Sequence, residues 1–109
     1  MEIPLEIISR DVRLPEAAET EIRGKAEKLG KAFSKIQNIR VVVEVPHRHQ
    51  HKGNHYKVGI YVLVPGQELV VNREPGDEGL SEGLRPAYLT AFQSMQRKLH
   101  AYADKRRKV

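Results

Sequence analysis

The sequence predicts an α+β domain of two layers, in which a four-stranded sheet carries two helices on one face. Two segments have apolar residues every three or four positions along one stripe, and four shorter segments alternate apolar with polar residues. Their order along the chain is β-α-β-β-β-α. Because each helix has one apolar stripe and the strands have one clear apolar face, packing both helices against that face buries all of this surface.

Length and composition favour one domain. The chain has 109 residues, and no internal repeat or linker divides it. We therefore expect residues 1–109 to form a single domain, with a basic C-terminal tail that frays from about residue 103 to residue 109. Apolar residues make up 39% of the chain and six residues are aromatic, so the core depends mainly on aliphatic side chains.

The first strand is predicted over residues 2–9, where Ile3, Leu5 and Ile7 alternate with other residues. The first helix is predicted over residues 15–33. Its initial proline suits the first turn, and its acidic residues precede its lysines, as the helix dipole favours. The residues of its apolar stripe are Ala18, Ile22, Ala26, Leu29 and Phe33.

Three further strands are predicted over residues 39–46, 56–64 and 67–74, and in the first two of them apolar residues recur at every second position. The connections between them favour an antiparallel meander. Between the last two strands, Pro65 and Gly66 form a dipeptide that is typical of a tight turn.

The second helix follows an acidic segment, residues 75–83, whose glycines and proline indicate a surface loop. Pro86 suits an early turn of this helix. The residues of its apolar stripe are Tyr88, Phe92, Met95, Leu99 and Tyr102.

Several classes of protein are disfavoured. The chain has no cysteine, which excludes a disulfide framework and a thiolate metal site. Its N-terminus lacks the features of a signal peptide, and no apolar stretch approaches the roughly 18–20 residues that span a bilayer. We expect a cytoplasmic monomer without a cofactor, a membrane partner or a small-molecule substrate.

Positive charge is concentrated in two blocks of the chain, whose overall net charge is +5. Residues 23–57 hold nine basic and two acidic side chains, and residues 97–109 hold six basic and one acidic. Residues 1–22 have a net charge of −4 and residues 58–96 a net charge of −3. Such segregated charge is typical of a surface that binds a polyanion.

Lysines on the first predicted helix lie away from its apolar stripe. Glu27 is the one acidic residue between positions 23 and 43, so these lysines would repel each other unless they face phosphates. A solvated charged surface is the plainer alternative. The lysines are Lys25, Lys28, Lys31 and Lys35.

The second helix repeats this pattern. Its basic residues lie off the stripe and continue into a KRRK run, which could alternatively be a solubilising tail. If the two helices lie side by side on the sheet, their outer faces merge into one positive surface suited to nucleic acid. The basic residues are Arg97, Lys98, Lys105 and Lys108.

A histidine cluster occupies the connection between the second and third strands. Alternation would place His47, His49 and His51 on one side of an extended segment, as a histidine-only metal site needs, with His55 nearby. Contact with phosphate or bases, or no special role, are the alternatives. No carboxylate or thiol lies in the segment to complete a typical site, so we expect no metal.

The sequence offers few residues in a pattern typical of a catalytic site. The chain lacks both common glycine-rich phosphate loops, and its serines lack the setting of a nucleophile elbow. Its strand carboxylates do not lie in apolar segments that would raise their pKa for acid–base work. We expect a protein that is not an enzyme.

Three stretches of the chain together carry a family resemblance: LEIISRDVRLPEAAETEIRGKAEKL, HKGNHYKVGIYVLVPGQELVVNREPG and FQSMQRKLHAYADKRR. They resemble the ribosome hibernation promoting factor and ribosome-associated inhibitor family, once called sigma-factor modulation proteins. The similarity covers essentially the whole chain. It implies a single ribosome-binding domain that is related in shape to double-stranded-RNA-binding domains.

The resemblance also implies a function and a set of contacts. The family binds the small ribosomal subunit in the channel of mRNA and tRNAs, and so blocks initiation under stress or in stationary phase. Basic residues of the two helices and nearby loops face ribosomal RNA. By position these are Lys25, Lys28, Lys31, Lys35, Arg97, Lys98, Lys105 and Lys108, with Arg48, Lys52 and Arg73 as weaker candidates at the end of the sheet.

The chain also departs from the family pattern. Many members begin the second helix with an acidic residue, a hydrophobic residue and tyrosine, whereas this chain reads GLRPAYLTAF with Pro86 within it. Longer members carry a C-terminal domain that pairs two ribosomes, and we expect no pairing by that route here. A general RNA-binding module and a histidine-rich metal-binding protein remain alternatives.

Overall fold

The fold follows the predicted β-α-β-β-β-α order, which confirms the α+β fold class. The computed structural model describes residues 3–10, 12–45, 56–73 and 83–107. The elements are β1 (Leu5–Arg10), α1 (Glu16–Ala32), β2 (Asn38–Glu44), β3 (Lys57–Val64), β4 (Gln67–Arg73) and α2 (Leu84–Arg107). The segment 75–83, predicted as a loop, lies outside the described residues except for Gly83.

The four strands form one mixed sheet in the order β1-β2-β3-β4. β1 runs parallel to β2, and α1 makes the crossover that a parallel pair requires. The pairs β2–β3 and β3–β4 are antiparallel, as the predicted meander requires. Pro4, which has no N–H, directly precedes the edge strand β1. Its carbonyl accepts a hydrogen bond of 3.1 Å from the Ile39 amide.

The core lies between one face of the sheet and the two helices. Alternate residues of the central strands are buried, and all five predicted stripe residues of α2 are buried with them. The stripe of α1 is buried except Phe33, which is half-buried where the helix ends. The buried strand residues include Ile39, Val41 and Val43 of β2 and Val58, Ile60, Val62 and Val64 of β3.

The turn between β3 and β4 contains the predicted Pro65-Gly66 pair. Gly66 has a φ of +85°, in the left-handed region that glycine adopts without the strain of a Cβ. The Tyr102 hydroxyl donates a hydrogen bond of 3.1 Å to the Pro65 carbonyl, which ties the turn to α2. The hairpin and the second helix are therefore joined by a polar contact as well as by the core.

α2 begins at Leu84, so Pro86 lies in an early turn of the helix, as the sequence predicts. Pro86 lies in the first turn, where amides have no intrahelical acceptor, so its missing N–H costs the helix nothing. The helix extends to Arg107, so it includes part of the segment 103–109 for which the sequence predicts a frayed tail. Over the described ranges, no helix is long and apolar enough to cross a membrane.

Candidate nucleic-acid interface

The two helices that carry the predicted basic residues run side by side in the same direction. The Tyr88 hydroxyl of α2 donates a hydrogen bond of 2.6 Å to Glu21 of α1. At the other end, the rings of Phe33 and His100 meet edge to face, with centroids 5.0 Å apart. Both contacts join residues 67 positions apart, as 88 is from 21 and 100 from 33. Residues with this offset therefore lie at about the same height on the two helices.

A cluster of Glu21, Arg85 and Tyr88 fixes the start of α2 against α1. Arg85 binds the Glu21 carboxylate with two hydrogen bonds, from Nε at 2.8 Å and from Nη2 at 3.0 Å. Arg85 first, and the Tyr88 hydroxyl second, lower the pKa of Glu21 to about 2. Burial, and then the nearby carboxylate, raise the pKa of Tyr88 to about 12. Glu21 is therefore ionised and Tyr88 neutral throughout the physiological pH range.

This cluster was not predicted from the sequence. Its members are 64 and 67 residues apart, and Glu21 alone looks like an ordinary acidic residue near a helix start. The signal that could have found it is the spacing of Arg85 and Tyr88, which lie one helical turn apart on α2 and face the same carboxylate.

The lysines of the first helix occupy two sides of it. Glu21 marks the flank of α1 that faces α2, and at about 100° per residue Lys25 and Lys28 lie on that flank while Lys31 points outward. Lys28 and Lys31 are exposed and Lys25 is half-buried, whereas Lys35 is exposed but lies three residues beyond the end of α1, although the sequence analysis assigned it to this helix. None of these four lysines forms an ion pair with a carboxylate among the residues that the structure describes.

The basic residues of the second helix also divide between two sides. Arg85 and His100 mark the flank of α2 that faces α1, and the same helical geometry points Arg97 outward. Lys98 and Lys105 lie on the flank away from α1, where both are exposed. Lys31 and Arg97 thus point outward from the two helices, and the exposed Lys28 lies beside them on the flank of α1 that faces α2. We call this group of three the outer cation surface. Its residues are Lys28, Lys31 and Arg97.

The remaining predicted contacts cannot be placed on this surface. Arg73 ends β4, and nothing is described of its side chain. Arg48, Lys52 and Lys108 lie outside the described residues, as do the metal candidates His47, His49 and His51. Among the residues that are described, no three histidine, cysteine or acidic side chains are grouped as a metal ion would need.

Comparison with known proteins identifies the family. The sequence model of the family described as Sigma 54 modulation protein / S30EA ribosomal protein matches residues 5–107. The chain belongs to this family. The resemblance carried by the three sequence stretches is thereby confirmed. The S30EA family is a family of ribosome-associated proteins and not of enzymes.

Solved structures share the fold of this S30EA family member. They include the N-terminal domain of Protein Y from Thermus thermophilus, with a TM-score of 0.68 and 17% identity over 93% of this chain and 99% of that one. They also include a ribosomal subunit interface protein from Coxiella burnetii, with a TM-score of 0.74 and 13% identity over 94% of this chain and 99% of that one. At such identities the likeness shows the fold alone. No curated protein matches the chain significantly.

The start of the second helix, where the chain departs from the family pattern, places a tyrosine in the core. Tyr88 is 2% exposed and belongs to the core of the domain. Arg85 donates two hydrogen bonds to the carboxylate of Glu21, so a basic residue holds the first turn of α2 against α1. The first turn of α2, which contains Pro86, is therefore held against α1 by hydrogen bonds to Glu21.

The Glu21 cluster predicts a pH dependence of stability. The folded-state pKa of Glu21 is about 2 and its ordinary value is 4.5, so its contribution is fully present above about pH 4.5 and is lost as the pH falls toward 2. We expect Glu21→Gln to destabilise the protein at pH 7 and to differ progressively less from the wild type below pH 4.5. Urea denaturation of both proteins across this range measures the difference.

Glu27→Gln is the matched control, since Glu27 is exposed on the same helix and forms no ion pair within the described residues. We expect this variant to match the wild type at every pH. A destabilisation by Glu21→Gln that stays constant from pH 7 to pH 2 would contradict an ionised, hydrogen-bonded carboxylate.

Proposed function

We propose that this protein is a ribosome hibernation factor that binds the small ribosomal subunit in the channel of mRNA and tRNAs. By occupying that channel it blocks initiation under stress or in stationary phase, in the cytoplasm and without catalysis. The observation that carries the proposal is the outer cation surface of Lys28, Lys31 and Arg97, in a chain of the S30EA family.

Electrostatics favours RNA as the partner of this surface. Its cations form no ion pair with a described carboxylate, so binding a phosphate does not first require an existing ion pair to break. The nearest fixed carboxylate between the helices, Glu21, is already bound by Arg85. The surface therefore presents a positive potential toward a polyanion.

The fixed arrangement of the two helices favours a mechanism in which the domain docks and then blocks the channel sterically. Glu21 and Tyr88 join the helices near one end, and Phe33 and His100 join them near the other, so the cations keep their mutual spacing before RNA binds. Little backbone freedom is then lost on binding. A compact domain held in this way obstructs mRNA and tRNA by its volume, and no chemical step is needed.

Sedimentation with separated ribosomal subunits tests this proposal. We expect the protein to pellet with the small subunit at about 100 mM salt and to be released at about 400 mM, because phosphate neutralisation releases counterions. Bound protein should also exclude initiator tRNA and mRNA from the same particles. Pelleting with the large subunit instead, or undiminished binding of mRNA and tRNA, would contradict the proposal.

A non-ribosomal RNA duplex in the same assay tests the alternative of a general RNA-binding module, which could use the same surface. If that duplex competes as well as the small subunit does, the ribosome is not the specific partner. Retention on the small subunit in its presence supports the hibernation factor.

A further inference from the structure

The face of the sheet opposite the helices carries its own group of cations around an aromatic ring. In the strand register, Arg10 lies opposite Glu44 and Glu44 lies opposite Lys57, while Arg40 lies opposite Tyr61. Alternation places these residues on the side away from the core. We call these five residues the open-face patch.

An aromatic ring and a guanidinium pair at the centre of this patch. The Cζ of Arg40 lies over the Tyr61 ring, 5.0 Å from its centroid. Beneath the ring is Gly59, where an added Cβ would stand only 3.1 Å from Cε1 and 3.2 Å from the hydroxyl oxygen of Tyr61. The missing side chain thus lets the ring lie over the backbone of the sheet, next to the guanidinium.

Arg40 has an unsatisfied donor at this position. Its Nε is buried and donates no hydrogen bond within the described part of the chain. Glu6 lies opposite Arg40 in the register, but these two described side chains form no ion pair. Buried polar groups are nearly always hydrogen-bonded, so the Arg40 guanidinium keeps donor capacity that the described residues do not use.

Cations outnumber the carboxylate in the patch. Arg10 and Lys57 share the Glu44 carboxylate, at 3.9 Å and 3.6 Å, and Arg40 adds a third cation to the patch. The patch lines a shallow groove of about 270 Å³, which is smaller than the pockets that take drug-sized ligands. A small, flat, anionic ligand suits this combination. The other residues that line the groove are Ile8, Val42, Gly59 and Asn72.

We propose that the open-face patch binds one unpaired nucleotide of single-stranded RNA. The base lies against the Arg40–Tyr61 pair, and the phosphate lies beside Arg10 and Lys57. Unpaired bases stack on aromatic rings and on guanidinium planes, whereas duplex RNA offers no free base surface. The inference rests on the proposed function in taking RNA as the partner, but it uses the opposite surface of the domain.

Fluorescence polarisation with a labelled oligouridylate, single-stranded or annealed to oligoadenylate, tests the patch at low salt. We expect the single strand to bind more tightly than the duplex, and Tyr61→Leu and Arg40→Gln each to weaken its binding about tenfold. Tyr61→Phe keeps the ring and should bind within about twofold of the wild type. Circular dichroism and thermal unfolding confirm that each variant is folded.

Arg13→Gln is the control for charge, because Arg13 is exposed and lies outside the patch. If Arg13→Gln weakens binding as much as Arg40→Gln does, the attraction is non-specific and the inference is overturned. Equal losses in Tyr61→Leu and Tyr61→Phe, no loss in Tyr61→Leu, or displacement of the oligouridylate by polyglutamate would each overturn it as well.

Sedimentation of the wild type with ribosomal subunits separates this inference from the proposed function. If the wild type pellets with the small subunit but Tyr61→Leu binds oligouridylate normally, the patch is wrong and the proposed function stands. If the wild type fails to pellet while Tyr61→Leu and Arg40→Gln lose oligouridylate binding, the patch stands as an RNA site and the proposed function fails.

Discussion

Replacing Lys31 and Arg97 together with glutamate is expected to weaken binding to the small ribosomal subunit on the order of 100-fold at about 100 mM salt. The two side chains point outward from adjacent helices and differ by 66 in number, one less than the offset that joins residues of equal height. They therefore lie close together on the outer cation surface. Two phosphate contacts are lost and two repulsive charges are added, so the dependence of log affinity on log salt should also become shallower by about two.

Arg13→Glu with Arg23→Glu is the matched control for this variant. Both double variants lower the net charge of +5 by four, and both control positions are exposed. Arg23 already pairs with Glu19 at 3.2 Å and lies away from the flank that faces α2. We expect the control to lose no more than a few-fold in affinity, through the change in net charge. Equal losses in the two double variants would show that overall charge, and not the outer cation surface, governs binding.

The sequence predicted the fold because its signals are local. Stripes at helical spacing and alternation at strand spacing are read within a single element, and residues such as Met95 and Val43 are buried as these patterns require. Pro86 predicted an early turn of α2 for the same reason, and it lies in the first turn of the helix that starts at Leu84. Such local signals place the ends of an element only to within a few residues, as for the first strand, which is predicted over residues 2–9 and observed as Leu5–Arg10.

The site was less predictable because it depends on how distant elements meet. Helical spacing shows that Lys98 and Arg97 lie off the apolar stripe, but not which flank of α2 faces α1. That choice is set by Glu21, which meets Arg85 and Tyr88 across more than 60 residues of chain. Lys98 is consequently turned away from α1, whereas the sequence favoured one merged surface.

The same reason explains the open-face patch. Arg40 and Tyr61 belong to different strands, and alternation predicts only that each faces away from the core. Their pairing depends on the register of β2 with β3, which places them opposite each other. Gly59 could be read in the sequence as a weak point in a strand, but its contact with the ring becomes evident only in the folded sheet.

Leu99→Ala is expected to lower the free energy of unfolding by about 2–5 kcal/mol, the usual cost of removing a fully buried leucine side chain. Leu99 is 0% exposed and packs on the face of the sheet that the helices cover. A domain of this size has a total stability of about 5–15 kcal/mol, so the loss is a large fraction of it. Urea denaturation followed by circular dichroism measures the change.

Leu63→Ala is the matched control, since the same atoms are removed from the opposite face of the sheet, where Leu63 is 40% exposed. We expect a cost below about 1 kcal/mol, because little apolar surface is returned to water. Comparable losses in the two variants would mean that the sheet buries both faces, which contradicts a two-layer domain. The two leucine variants also connect stability to binding, because α2 holds Arg97 outward only while Leu99 faces the core. Leu99→Ala should therefore reduce the fraction of protein that binds the small subunit on warming, and Leu63→Ala should not.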